Sequence, residues 1–206
     1  MSTDRTQQSV EEAFAVVADN APTSHETGID DLQGSALANR KLDGGQLAVV
    51  AVELPLGSGI TFPMYKWDIN DIPYCTYQTA HRCKKDGTFN DHVHVCTDKN
   101  PTGKRVKFQI DGVFAGVKSK YAKVPDSPWT KEFTFPGDWS RGNFIIDLLD
   151  TVNISPTVSS LIKFRIKRVQ ASQDDVANSN IKFYLDFHDA HVENDQIFGS
   201  RQMAVK

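Results

Sequence analysis

The sequence predicts an all-β protein, an antiparallel β-sandwich of jelly-roll type that carries a short N-terminal helix and an extended arm. Residues branched at Cβ are abundant, with 18 Val, 12 Ile and 14 Thr against 10 Leu, and such residues fit a pleated, half-buried surface. Asp outnumbers Glu by 20 to 6, and Asp favours turns and caps over helix interiors. Several runs also alternate apolar and polar residues with period two, which is typical of strands with one face in a core.

The first 45 residues are predicted to form an arm, separate from a sandwich domain over 46–206. A Ser-x-x-Glu capping box begins at Ser9 and predicts a helix over about 9–19. Between 20 and 40 the chain is polar and no strand or helix pattern persists. The arm is either a disordered tail or a segment that docks on a partner protein through one apolar helix face. The candidate partner contacts on that face are Val10, Phe14 and Val17.

From residue 46 onward the pattern is that of strands. The run 46–54 is almost continuously apolar and predicts a first strand that is buried on both faces. A second strand is predicted over 58–67. The stretch 70–90, which contains Pro73 and Gly87, is predicted to be a long loop or an irregular hairpin.

Three later runs show the clearest alternation, at 104–110, 161–168 and 181–188. In the last of these the pattern directs Phe187 into the core and His188 toward solvent. About eight strands with wide loops between them favour an antiparallel sandwich, most simply a jelly roll. Shorter strands complete the prediction at 91–97, 113–118, 130–135 and 143–149.

Composition and motifs narrow the function classes. The net charge of −3 includes no basic surplus, so we expect no nucleic-acid partner. No apolar window is long enough for a membrane-spanning helix, and the N-terminus lacks a secretory pattern. Three cysteines do not suggest a disulfide framework, which favours a reducing compartment. No Gly-x-Ser-x-Gly, phosphate-binding loop or His-Glu-x-x-His motif is present, so we expect no enzyme and no organic cofactor.

The sharpest chemical feature is His92-Val-His94. On a strand these two imidazoles project from the same face, and imidazole is a common ligand of transition metals. Three interpretations stay open. The pair simply hydrogen-bonds neighbours on a polar strand face, or it forms a cupin-like metalloenzyme site with Asp98, His188 or His191 as third ligand. In the third, a trimer brings three such pairs around its axis and six nitrogens bind one metal.

Two weaker sets of residues are also candidates. The cysteines lack zinc-finger spacing and are either small buried thiols or, together with His81, metal ligands. Aromatic residues could stack on sugars in a carbohydrate-binding tail or receptor-binding module, although their alternative role is as core or loop anchors. The cysteines are Cys75, Cys83 and Cys96. The aromatic candidates are Trp67, Trp129, Trp139 and Tyr74.

Three segments of the C-terminal half carry a family resemblance. In the first, the His-x-His strand is followed by a Pro/Gly turn at 98–103 and an alternating strand. In the second, the basic strand 162–168 is followed by Asp174-Asp175. In the third, a Phe-Tyr-Leu-Asp-Phe-His strand leads to Gly-Ser-Arg at 199–201. Over 91–206 the chain resembles small virion structural proteins of tailed bacteriophages. The resemblance implies a non-enzymatic sandwich in the virion, assembled in the host cytoplasm as a capsid decoration (cement) protein or a head–tail component.

The same resemblance implies the partners. They would be the major capsid protein or other virion proteins, with no nucleic acid and no membrane. A homotrimer is the preferred state, since it would match the local three-fold positions of a capsid.

Overall fold

A computed structural model describes residues 27–33, 47–79, 88–124, 127–149, 152–153 and 160–195. Within them the regular structure is β apart from one 3-10 turn at Val176–Ser179. The helix predicted over 9–19, with Val10, Phe14 and Val17, lies outside the described residues, as do His81 and Cys83. In the described ranges no helix has the length and apolarity that a bilayer crossing requires.

The strands in chain order are β1 (Thr27–Gln33), β2 (Ala48–Glu53), β3 (Thr61–Lys66), β4 (Tyr74–Gln78), β5 (Thr88–Thr97), β6 (Arg105–Ala115), β7 (Ala122–Lys123), β8 (Trp129–Thr134), β9 (Phe144–Asp147), β10 (Val152–Asn153), β11 (Leu161–Val169) and β12 (Phe183–Asp195). They form two antiparallel sheets, so the predicted β-sandwich is confirmed.

The seven-stranded sheet has β5 and β12 at its centre. These two strands pair with each other. On its other side β5 pairs with β9 and β10, and β12 pairs on its other side with β1 and β3. Among the described strands, β2 pairs only with β3 and therefore forms an edge of this sheet. The five-stranded sheet has the order β4-β11-β6, with β7 and β8 both paired to β6.

The core lies between the two sheets and is rich in aromatic rings. Phe89 of one sheet and Phe164 of the other lie 5.5 Å apart between ring centroids. Phe164 in turn covers Gly112 on the adjacent strand, where an added Cβ would lie 2.5 Å from the Phe164 ring. Only glycine leaves room for this ring, which replaces the missing side chain as a packing surface.

Several predicted elements differ from the structure. Strand β1 lies inside the segment predicted to be the arm, and β4 lies inside the stretch predicted to be a loop. Each is bound to a long neighbour, β12 or β11, and pairing of this kind supplies stability that local patterning does not show. The strands predicted at 104–110 and 113–118 are one continuous strand, β6.

The largest correction concerns the run 46–54, which was predicted to be buried on both faces. Strand β2 instead lies at the sheet edge, where Val49 is 53% exposed and Val52 is covered. A continuous apolar run marks a central strand only when both faces are covered by other layers. Here Val49 and Ala51 are exposed to solvent and Val52 is buried.

A β-bulge between Leu185 and Phe187 corrects the pattern of β12. The extra residue reverses which side chains face the core. As a result His188 is buried and Phe187 is 37% exposed, the opposite of what the alternation predicted.

Candidate functional site

The His-x-His pair projects from the outer face of the seven-stranded sheet. The intervening Val93 packs in the core, so His92 and His94 lie on the opposite face. Both imidazoles are nevertheless buried, at 1% and 8% exposure. Two imidazoles shielded from water on one strand face can serve as ligands or as partners of a buried acid.

The acid is Asp189 of β12, the cross-strand partner of His92. Its Oδ1 lies 2.5 Å from His92 Nε2 and 3.5 Å from His94 Nε2, and the residue is 6% exposed. The three donor atoms all lie within 4.8 Å of one another. Burial by itself would raise the pKa of Asp189, but the neighbouring imidazoles of His92, His94 and His191 outweigh it and lower the pKa below its ordinary value.

The surroundings hold the His94 ring in one orientation. Asn143 Oδ1 lies 2.7 Å from His94 Nδ1, and Phe187 stacks on the ring with centroids 4.1 Å apart. The amide oxygen only accepts, so the proton of this hydrogen bond is on Nδ1, and Nε2 is the ring nitrogen that faces Asp189. His191 lies beside His92, with ring centroids 4.5 Å apart.

Of the third ligands proposed from the sequence, His191 lies beside His92, whereas the other two lie away from this cluster. Asp98 accepts a hydrogen bond from the Lys182 backbone N–H, and His188 faces the core. Asp189 was missed because the bulge in β12 determines which side chain faces His92, and alternation from Phe183 cannot locate a bulge.

A second polar cluster lies inside the sandwich and joins the two sheets. His188 Nε2 lies 2.8 Å from Asp91 Oδ1, which also accepts a 2.9 Å hydrogen bond from the Tyr77 hydroxyl. Cys75 Sγ lies 3.9 Å from the same His188 nitrogen. The order Cys-His-Asp is that of a nucleophilic enzyme, but all four residues are at most 3% exposed.

The protonation states in this cluster argue against nucleophilic catalysis. Burial raises the pKa of the Cys75 thiol, and the thiolate is the reactive form. Burial would lower the pKa of His188, but the Asp91 carboxylate outweighs it and raises that pKa well above its ordinary value. The cluster is therefore best described as a charged His188–Asp91 pair that ties β12 to β5, with Tyr77 adding a link to β4.

The basic side chains of the strand predicted at 161–168 lie on both faces of β11. Lys163 and Arg165 point outward, whereas Arg168 is buried and paired with Asp175 at 3.0 Å. Arg168 also donates to the Trp67 carbonyl, and Asp175 accepts the backbone N–H groups of Ala171 and Ala177. The basic and acidic segments that carry the family resemblance thus meet in a single interior contact.

The outer face of the five-stranded sheet carries an open groove of about 570 Å³. Its lining includes Tyr74, Lys163 and Arg165, and Lys163 lies over the ring of Tyr121 at 4.9 Å. Of the aromatic residues proposed for sugar stacking, Tyr74 reaches this groove and Trp67 is fully buried. Trp139 packs against Phe144 with stacked rings 4.6 Å apart.

An apolar surface lies on the hairpin formed by β2 and β3. Four large apolar side chains there are more than half exposed, and we call them together the apolar edge. They are Val49 at 53%, Leu56 at 71%, Ile60 at 55% and Phe62 at 52%. Residues 55–63 are exposed throughout, so the turn extends beyond the body of the sandwich.

The hairpin is held in one conformation by its own hydrogen bonds. The Leu54 N–H donates to the Ile60 carbonyl at 2.9 Å, and the Gly59 N–H donates to Glu53 Oε1 at 2.6 Å. Hydrogen bonds from the Gly59 and Gly57 backbones lower the pKa of Glu53. Arg141 anchors the base by donating to the Glu53 carbonyl at 2.7 Å. The apolar edge is therefore preorganised, which lowers the entropic cost of binding.

Comparisons with known proteins give no family. No protein-family model and no curated protein matches the chain. Among solved structures, the chain is similar to a carbohydrate-binding module specific for non-crystalline cellulose, with 11% identity and a TM-score of 0.35 over 80% of this chain and 84% of that one. It is also similar to infectious bursal disease virus, with 6% identity and a TM-score of 0.34 over 85% of this chain and 34% of that one.

A third similar structure is the mosquito-larvicidal Cry4Aa toxin of Bacillus thuringiensis, with 12% identity and a TM-score of 0.37 over 70% of this chain and 21% of that one. At TM-scores below 0.5 these likenesses assign no function.

Proposed function

We propose that the chain is a non-enzymatic virion structural protein, a capsid decoration subunit that assembles as a homotrimer. The observation that carries the proposal is the apolar edge. A long apolar edge strand without charged or proline residues is open to pairing with another chain. Strand β2 reads Ala-Val-Val-Ala-Val-Glu, so its first five residues include none of these protective groups. The occupant we propose for the apolar edge is a second copy of this chain.

The chemistry of the interior supports a structural role. Three pairs of polar side chains connect elements of the sandwich to one another: His92 with Asp189, His188 with Asp91, and Arg168 with Asp175. Each of these six residues is at most 6% exposed. These buried side chains stabilise the sandwich, and a substrate dissolved in the solvent cannot reach them.

Native mass spectrometry of the full chain tests this assembly. We expect a species of three times the 22.9 kDa chain mass, and we expect Ile60→Glu/Phe62→Glu to yield monomers. Burying one large apolar side chain contributes about 1.5–3 kcal/mol, so replacing two by charges weakens association by roughly 100-fold or more. The matched control is Val117→Glu, which changes a 60% exposed side chain outside the apolar edge. It should remain trimeric.

Two results would overturn the assembly proposal: a wild-type chain that is monomeric at micromolar concentration, or a double variant that stays trimeric. Circular dichroism of each variant establishes that the sandwich is retained, since Ile60 and Phe62 are exposed and their replacement leaves the core unchanged.

The groove on the five-stranded sheet favours a second candidate, a carbohydrate-binding module. Tyr74 supplies a ring for stacking, and Arg165 and Asp111 supply hydrogen-bonding groups in the same groove. This candidate requires glycan binding that is lost in Tyr74→Ala. A chain that binds no glycan on an array would exclude it.

A further inference from the structure

We infer that His92, His94 and Asp189 form a mononuclear Zn²⁺ site that links β5 to β12 on the outer face of the seven-stranded sheet. Two imidazoles and one carboxylate, with a fourth position for water, are an established ligand set for zinc. The three donor atoms lie within 4.8 Å of one another and come from residues that are at most 8% exposed. The site is independent of the apolar edge and of the proposed assembly.

The first argument is the orientation of His94. Because Asn143 Oδ1 only accepts, the proton of this hydrogen bond is on His94 Nδ1, and Nε2 is the atom that faces Asp189 Oδ1 at 3.5 Å. In the neutral form of this tautomer the Nε2 lone pair and the carboxylate both point at the space between them, where a cation would bind both. A hydrogen bond from the distal imidazole nitrogen to an oxygen acceptor is also the usual way in which proteins orient a metal-binding histidine.

The second argument is that one oxygen of the Asp189 carboxylate lacks a well-aligned hydrogen-bond donor. Asp189 Oδ1 is buried, and among the described residues it has no hydrogen bond of normal geometry, although His92 Nε2 lies only 2.5 Å away. A buried carboxylate oxygen without a well-aligned donor is costly, and a bound cation would satisfy it.

The third argument is the spacing of the donors. In a tetrahedral zinc site with bonds of about 2.0–2.2 Å, two ligand atoms lie roughly 3.3–3.5 Å apart. The His94–Asp189 distance already has this value. The His92–Asp189 distance must lengthen by about 1 Å, which a small rotation of the Asp189 carboxylate provides.

The test is titration of the full chain, stripped of metal with EDTA, with Zn²⁺ by isothermal calorimetry. The visible spectrum of the Co²⁺ form gives an independent measure of tetrahedral coordination. We expect one ion per chain with a dissociation constant of 1 μM or tighter, on the order of 8 kcal/mol or more. His94→Gln and Asp189→Asn should abolish this binding, and Asn143→Ala should weaken it by about 10- to 100-fold, since Asn143 only positions His94.

Asp147→Asn is the matched control. Asp147 is the cross-strand partner of His92 on the other side of β5, but it is exposed and outside the donor cluster. It should leave the affinity unchanged. The inference is overturned if the wild type binds no Zn²⁺ at 1:1 stoichiometry, if Asp189→Asn binds like the wild type, or if Asp147→Asn loses binding. Because subunit number is not measured, these results stand apart from the test of assembly.

Discussion

Replacing Asp175 by Ala should destabilise the protein by about 3–5 kcal/mol, because it leaves the Arg168 guanidinium buried without its counter-charge. Arg168 and Asp175 have side-chain exposures of 2% and 0%. Both carboxylate oxygens of Asp175 are engaged, one by Arg168 and Ala177 and the other by the Ala171 N–H. The substitution therefore also removes a cap that closes the turn after β11.

The measurement is urea unfolding, followed by circular dichroism, with the midpoint compared at constant slope. The control is Asp111→Ala, which breaks the Arg165–Asp111 pair on the outer face of the same strand. Arg165 there is 52% exposed, and exposed pairs contribute about 0–1 kcal/mol. If both variants lost the same small amount of stability, Arg168–Asp175 would not be the interior anchor described here.

The free energy of unfolding should fall as the pH rises above about 6.5, because of the interior His188–Asp91 pair. Asp91 raises the pKa of His188 well above its ordinary value of 6.5 against the lowering effect of burial. A raised pKa means that the folded state binds the proton more tightly than the unfolded chain. The stabilisation is then complete below about pH 6.5 and is lost as the pH rises through the folded-state pKa.

Each tenfold difference in proton affinity corresponds to about 1.4 kcal/mol, so the slope is measurable by denaturant unfolding between about pH 6.5 and 8. Above this window the raised pKa of the Cys75 thiol adds a loss of the same sign. His188→Gln should flatten the slope. Tyr77→Phe removes one hydrogen bond to Asp91 but keeps the pair, so it should retain the slope. A wild-type stability that rises across this window would contradict a charged His188.

Sequence patterning was sufficient to predict an antiparallel β-sandwich and most of its strands. Strand β11 alternates as predicted, with Ile162, Phe164 and Ile166 in the core. The pattern could not reveal the bulge in β12, because one inserted residue reverses the facing of every later side chain without changing composition. For the same reason the sequence pattern predicts His188 on the solvent face, and it does not reveal that Asp189 lies beside His92.

The basic composition of a strand also does not show which of its charged residues are buried. Arg168 ends a run of basic residues, which is typical of a solvated face, yet it lies on the same face of β11 as Ile166 and is buried. Likewise, an apolar run such as 46–54 does not reveal whether a second layer covers it. The apolar edge, on which the proposed assembly depends, became visible only when the topology placed β2 last in its sheet.

The claim that the chain is a capsid decoration protein is tested most directly by quantitative mass spectrometry of purified virions from the source that encodes it. We predict that the chain is present at a copy number proportional to that of the major capsid protein, as subunits on a repeating lattice must be. A chain abundant in the infected cell but absent from the purified particles would contradict the account.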